Sequence, residues 1–173
     1  MELILVLHNI RSTHNVGSVL RTADGLGVSK VVLSGYTPRV NDERVLPYLR
    51  EKLNKQIAKT ALGAEKYIEN YACDDINTEL LRLKKDGYKI VGLENNLETD
   101  KPILQIKIKN SSQIRTALSS RVVLVLGEEV DGIPHSLYEM IDLFLEIPMV
   151  GRKESFNVSV ATGIAGFYLM NLE

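Results

Sequence analysis

A few polar side chains stand where the sequence around them is apolar or turn-like, and their types define the chemistry open to this chain. Arg21 lies in an apolar helical pattern, six residues after Asn15. A guanidinium is planar, carries five donors and keeps its charge at any working pH, so it suits a phosphate or a developing oxyanion. Glu128 and Glu129 follow the apolar run VVLVL and a glycine. Carboxylates at such a turn accept hydrogen bonds or take a proton. Ser155 and Asn157 precede the last helical pattern, where side-chain oxygens cap free amides. Taken singly, each has an ordinary explanation: a surface arginine, a turn carboxylate, a helix cap. Placed together at the ends of apolar runs, they outline a ligand-binding corner.

The elements that must position them follow from periodicity. Residues 3–7, 30–34, 88–93, 122–126 and 143–147 are short apolar runs bounded by turn signals and read as buried strands. Val16, Val19, Leu20, Ala23 and Leu26 form a helical stripe, with Asn15 as its expected N-cap and Gly27 as its stop. Helices are also expected over 49–61, 75–87, 112–119 and 157–172, with another opening at Pro134. Cys73 falls in an expected loop, as does 95–101, which Pro102 ends. The order β-α-β, long excursion, α-β, β-α-β-α predicts an α/β fold: an open, mostly parallel sheet with helices on both faces. Ligands of such sheets collect beyond the carboxyl ends of the strands, here 8–15, 93–96, 127–132 and 149–157.

Composition narrows the function classes. The chain of 173 residues suits one domain, and its single cysteine permits no internal disulfide, which fits a cytoplasmic setting. No apolar stretch approaches the ~20 residues that cross a bilayer, and the first residues read as a strand, not a signal peptide. Net charge is −1, yet residues 1–60 hold nine Lys/Arg against five Asp/Glu. The 35–63 segment is dense in these cations and is a candidate lid for a polyanion, or simply a basic outer helix face.

The joint after the first strand has one glycine in place of G-x-G-x-x-G, so a dinucleotide site fails, and a phosphate loop is absent. His8, His14 and His135 are isolated, Cys73 has no evident base, and Ser155 is not in G-x-S-x-G.

Three segments carry a resemblance. NIRSTHNVGSVLRTADGLGVSKVVLSG (9–35), VLVLGEEVDGIP (123–134) and IPMVGRKESFNVSVATGI (147–164) resemble, in order and spacing, the three motifs of the SpoU (TrmH-like) RNA ribose methyltransferases of the SPOUT superfamily. KTALGAE (59–65) is similar to a further family segment. The likeness covers nearly the whole chain. Phe156 and Ile133 stand where the family commonly has leucine.

The resemblance implies a C-terminal deep trefoil knot, a homodimer, and S-adenosyl-L-methionine as cofactor. It implies methyl transfer to a ribose 2′-hydroxyl of tRNA or rRNA, by a single domain over 1–173 without a separate RNA-binding extension. The cofactor would be held by loops containing Leu93, Glu94, Leu126, Gly127, Glu128, Gly132, Ile147, Met149, Ser155, Phe156 and Asn157. Its flat adenine would sit against Leu126, Ile147 and Met149. Arg21 matches the family's essential arginine, with Asn15, Glu129, Ser155 and Asn157 completing the catalytic set. Arg11, His14 and Arg21, with Arg39 and Arg44 of the basic segment, are the expected RNA contacts. The small residues Ala161, Gly163, Ala165 and Gly166 of the last helix would let a second subunit approach. The alternatives are an RNA-binding or assembly factor of the same fold with little catalysis and, in another class, a nucleotide-dependent oxidoreductase. Stabilisation by S-adenosylmethionine or by NAD separates these readings.

Overall fold

The computed structural model describes residues 1–95, 97 and 105–172. Seven strands form one sheet in the order β3-β2-β1-β6-β4-β7-β5, every neighbouring pair parallel. They are β1 (Glu2–His8), β2 (Lys30–Ser34), β3 (Asn70–Cys73), β4 (Lys89–Leu93), β5 (Gln105–Lys107), β6 (Arg121–Leu126) and β7 (Leu143–Glu146). The five expected strands are all present. The two that periodicity missed, β3 and β5, are short edge strands with little buried surface and hence no apolar run. Cys73 accordingly closes β3 instead of lying in a loop. The expected loop at 95–101 and Pro102 falls mostly outside the described residues.

The apolar runs are continuous because both sheet faces are covered. In β1, Leu3, Leu5 and Leu7 face one cluster with α1 (Thr13–Leu26), α2 (Pro47–Ala61), α4 (Ser111–Ala117) and α5 (Val158–Met170). Ile4 and Val6 face a second cluster, with α3 (Ile76–Lys85) and the 3-10 turn His135–Met140. That turn replaces the helix expected after Pro134, which precedes it as its cap. The basic segment ends in α2, whose buried Ile57 and Ala61 pack on α1, so its second half is a docked helix in this structure.

The α1–α2 contact is set by Gly17. A Cβ there would overlap the Ile57 carbonyl oxygen and the Thr60 hydroxyl. Backbone cannot yield as a flexible side chain can, so Gly17→Ala should cost about 1–3 kcal/mol. Urea unfolding checks this; an unchanged midpoint would contradict the packing.

The chain reverses its direction of growth across the sheet between β1 and β6. From β1 it builds outward to β2 and β3, then crosses to β4, and β6 later fills the gap between β1 and β4. This switch point brings the carboxyl ends of β1, β6, β4 and β7 side by side.

Candidate active site

A crevice of about 180 Å³ opens at that switch point. Its walls come from the ends of β4 (Leu93, Glu94, Asn95) and β6 (Leu126 to Val130, and Gly132), from Ile147 after β7, and from Ser155 to Val158 and Ala161 at the start of α5. Ten of the eleven residues expected at a cofactor site line it: Leu93, Glu94, Leu126, Gly127, Glu128, Gly132, Ile147, Ser155, Phe156 and Asn157. Met149, expected against the adenine, is not among its walls.

Local structure explains each wall. The β6 exit folds back on itself, with Glu128 and Gly132 exchanging backbone hydrogen bonds of 3.0 Å. Gly132 adopts φ +68°, a left-handed conformation that suits glycine. The resulting turn holds Glu128 and Glu129 in fixed directions. Across the crevice, Asn95 binds the main chain of Ile147 in both senses: its Oδ1 accepts from the Ile147 amide at 3.0 Å and its Nδ2 donates to the Ile147 carbonyl at 2.9 Å. Its Nδ2 also donates to the Glu154 carbonyl at 3.2 Å. Asn95 thus stitches the β4 exit to the loop before α5. Sequence reasoning missed it; the signal was a side-chain amide just past a buried strand.

The N-terminus of α1 explains how Asn15 becomes available. Ser12, not Asn15, caps this helix, its hydroxyl accepting from the Asn15 amide at 3.3 Å. Released from capping, the Asn15 side chain donates from Nδ2 to Glu129 Oε1 at 2.9 Å. Its Oδ1 accepts from Asn157 Nδ2 at 3.1 Å. Asn157 in turn caps α5, its Oδ1 accepting from the Ser159 amide at 2.9 Å. Glu129 also accepts from the amides of Arg11 (3.1 Å) and Ser12 (3.4 Å). One chain of hydrogen bonds therefore joins residues 15, 129 and 157, which come from three distant stretches of sequence.

The two carboxylates respond oppositely to this environment. Burial pushes the Glu129 carboxyl up, but hydrogen bonds from Asn15 and from the Arg11 and Ser12 amides outweigh it and hold the group below its ordinary value of 4.5. Glu94 is pushed above its ordinary value, because burial outweighs the amides of Ile133 (3.0 Å) and Asn95 (3.2 Å) that it accepts from. Stability linked to Glu129 is therefore present above pH 4.5 and is lost as pH falls through its depressed folded value. Glu129→Gln, with one acceptor oxygen for three donors, should melt below wild type at pH 7. That gap should narrow as the pH drops below about 4; a pH-independent gap would contradict the network.

Arg21 stands apart from this network. It is exposed on α1, with no hydrogen bond or ion pair among the described residues, and its six-residue offset puts it about 9 Å along the axis from Asn15. Ser155 is exposed at the crevice rim.

The expected RNA contacts divide. Arg11 is exposed, paired with Glu128 and hydrogen-bonded to Tyr36. His14 is exposed on the first turn of α1. Arg39 is buried, its guanidinium held by Asp74 at 2.9 Å and the Cys73 carbonyl at 3.4 Å, so it braces the β3 end and offers no surface to RNA. Arg44 is clamped by both oxygens of Asp42, at 2.8 and 2.6 Å.

The SpoU rRNA Methylase family model matches residues 2–167. The 23S rRNA (guanosine-2′-O-)-methyltransferase RlmB of Xylella fastidiosa is 33% identical over 165 residues, covering 95% of this chain and 57% of that protein. This chain thus spans little more than half the length of such relatives. Among solved structures, the AdoMet-bound rRNA methyltransferase from Sinorhizobium meliloti superposes with a TM-score of 0.72 at 24% identity, covering 96% of this chain and 55% of that one. A protein described for 2-OH methylation of C/U34 on tRNA superposes with a TM-score of 0.70 at 22% identity, covering 96% of this chain and 92% of that one. These likenesses place the fold among the SpoU methyltransferases.

Proposed function

The chain belongs to the SpoU rRNA Methylase family, and on that basis we propose that it transfers a methyl group from S-adenosyl-L-methionine to a ribose 2′-hydroxyl of ribosomal or transfer RNA. The observation that carries this reading is the hydrogen-bond chain Asn157–Asn15–Glu129 at the crevice, built from one residue of each of the three motifs. A structural scaffold has no need to converge three motifs on one polar corner.

The crevice suits the cofactor. Leu93, Leu126, Ile147 and Ala161 offer apolar walls for a flat heterocycle, between main chain able to read its edge. Glu94 supplies a carboxylate that, among the described residues, accepts hydrogen bonds from backbone amides, as a site for a ligand bearing an amine or a positive charge would require. When bound, S-adenosylmethionine supplies an electrophilic methyl on a sulfonium.

The chain's own residues address the poor nucleophilicity of a 2′-hydroxyl, which must lose its proton as the carbon–oxygen bond forms. Arg21 binds the neighbouring phosphate through its fork of donors and lowers the energy of the developing alkoxide. Guanidinium groups do not give up their proton in proteins, so the side chain acts by position and charge, and direct deprotonation of the hydroxyl by it is disfavoured. Asn15, Glu129 and Asn157 fix the corner against which the ribose is oriented, and Ser155 offers a hydroxyl at the rim.

The homodimer belongs to the same proposal. α5 is apolar nearly all round, yet only Thr162, Ala165, Gly166 and Leu169 are buried. Val160, Ile164 and Phe167 stay exposed at 48%, 37% and 61%, a stripe at helical spacing that a second copy would cover. Arg21 precedes Thr22, which lies over Gly163 of α5. The trefoil knot is likewise proposed, supported by the way Asn95 clasps residues 147 and 154. Among the described residues no helix is long and apolar enough to cross a membrane. A cytoplasmic site of action is proposed because ribosomal and transfer RNA are met there.

Transfer of tritiated methyl from S-adenosylmethionine onto total ribosomal and small RNA tests the reading, with thermal stabilisation by the cofactor as a second readout. Label at a ribose 2′-oxygen supports it. RNA binding without label would favour an assembly factor of the same fold, and stabilisation by NAD alone would overturn the reading.

A further inference from the structure

We propose that the outer face of α2 is a docking track for the phosphodiester backbone of the RNA, leading its strand toward the crevice; this rests on the RNA-modifying reading above. Tyr48, Lys52, Lys55 and Lys59 recur at i, i+4, i+7 and i+11, so they share one stripe of the helix. All four are exposed, Tyr48 to 72%. With Glu51 and Gln56 of the same helix they line a shallow groove of about 540 Å³ whose other wall is His14, on the first turn of α1.

The charges on this stripe are available. Lys52 and Lys59 have no ion-pair partner among the described residues. Lys55 meets Glu51 at 2.6 Å, but both side chains are well exposed, and such a pair gains little over water, so a phosphate can displace the carboxylate. Several arginines elsewhere are committed. Arg82 is held by Glu79 and Asp86, Arg39 by Asp74, and Arg121 by Glu2.

The geometry suits one strand of RNA. Lys52, Lys55 and Lys59 rise by about 4.5 and 6 Å along the axis, steps of the same order as the separation of successive phosphates. Tyr48 at the head of the stripe offers an aromatic face, and bases stack on such faces whatever their identity. The track also has a direction. Thr60 donates to the His14 carbonyl at 2.9 Å and Thr13 donates to Gln56 at 3.2 Å, which fixes α2 to the turn that carries Asn15. A strand that follows the lysines to His14 therefore arrives beside the Asn15–Glu129–Asn157 corner. The track is rigid, because Ile57 is fully buried and Gly17 lets the two helices touch.

The test uses the whole protein and measures binding of labelled total transfer RNA and ribosomal RNA across a salt series, for wild type and for the triple variant K52A/K55A/K59A. The variant should bind at least tenfold more weakly. Its plot of log affinity against log salt should be shallower by about 2, the loss of three single-strand phosphate contacts. Its stabilisation by S-adenosylmethionine should match wild type, which also shows that it is folded. The charge-keeping K52R/K55R/K59R should restore affinity, whereas K85A, on α3 against the opposite face of the sheet, should change neither quantity. A triple alanine variant with wild-type affinity and slope overturns the track while leaving the methyltransferase reading intact. A wild-type protein that neither binds nor methylates RNA overturns both.

Discussion

Arg21→Ala should lower methyl transfer to RNA by about 10²–10³, the cost of removing one preorganised donor from a developing oxyanion. Its effect on S-adenosylmethionine binding should be negligible, because Arg21 is exposed on α1 and does not line the crevice. The two readouts therefore separate: calorimetry with the cofactor reads the crevice, and tritium transfer reads the guanidinium. Arg21→Lys should recover only part of the loss, since an ammonium is a point charge that cannot present two parallel donors to a phosphate. Wild-type turnover in Arg21→Ala would remove Arg21 from the mechanism. Lost cofactor binding would mean that Arg21 supports the crevice instead of the nucleophile.

Gly127→Ala is the second large effect, and it acts through shape. Gly127 is buried at the point where β6 enters its turn, and the chain folds back directly over it. A Cβ at 127 would overlap the carbonyl group of Gly132 and the amide nitrogen of Ile133, all main-chain atoms. The 128–132 hairpin can relieve that overlap only by lifting away, which breaks the paired bonds between Glu128 and Gly132. Glu129 would then leave Asn15, and Ile133 would leave Glu94. Overpacking of this kind typically costs 1–3 kcal/mol, and a clash confined to main chain belongs at the upper end, about 3 kcal/mol. The expected result is a lower Tm and loss of thermal stabilisation by S-adenosylmethionine. Gly151→Ala is the matched control, because a Cβ there meets nothing within 4 Å. Normal cofactor stabilisation in Gly127→Ala would show that the turn is not part of the binding wall.

The α2 track and the Arg21 proposal concern different stages of one event. Exposed lysines supply long-range, salt-sensitive attraction and register, while one arginine acts at the reacting sugar. Loss of the lysines should therefore fade as RNA concentration rises, and loss of Arg21 should not.

Local sequence determined a great deal. The apolar runs of β1, β2, β4, β6 and β7 are legible because strands buried on both faces need side chains with no polar atoms on either side. The stripe Val16–Leu26 and the Asn157 cap of α5 are legible because helix packing and capping obey short-range periodicity. The strand ends that form the crevice could be named in advance, since parallel sheets place ligands there.

Tertiary structure alone decided the rest. Whether an asparagine caps its own helix or reaches another segment depends on the residues three places earlier and a hundred places later; Ser12 takes the cap, and Asn15 is free for Glu129. Whether a basic residue faces solvent or braces the fold depends on an acid remote in sequence; Asp74 draws Arg39 inside. The edge strands β3 and β5 exist because neighbours offer them unpaired main chain, a condition that no pattern within four residues can record. Periodicity and capping are short-range and are written along the chain. The meeting of residues 15, 129 and 157 is a property of strand order, which only the folded sheet establishes.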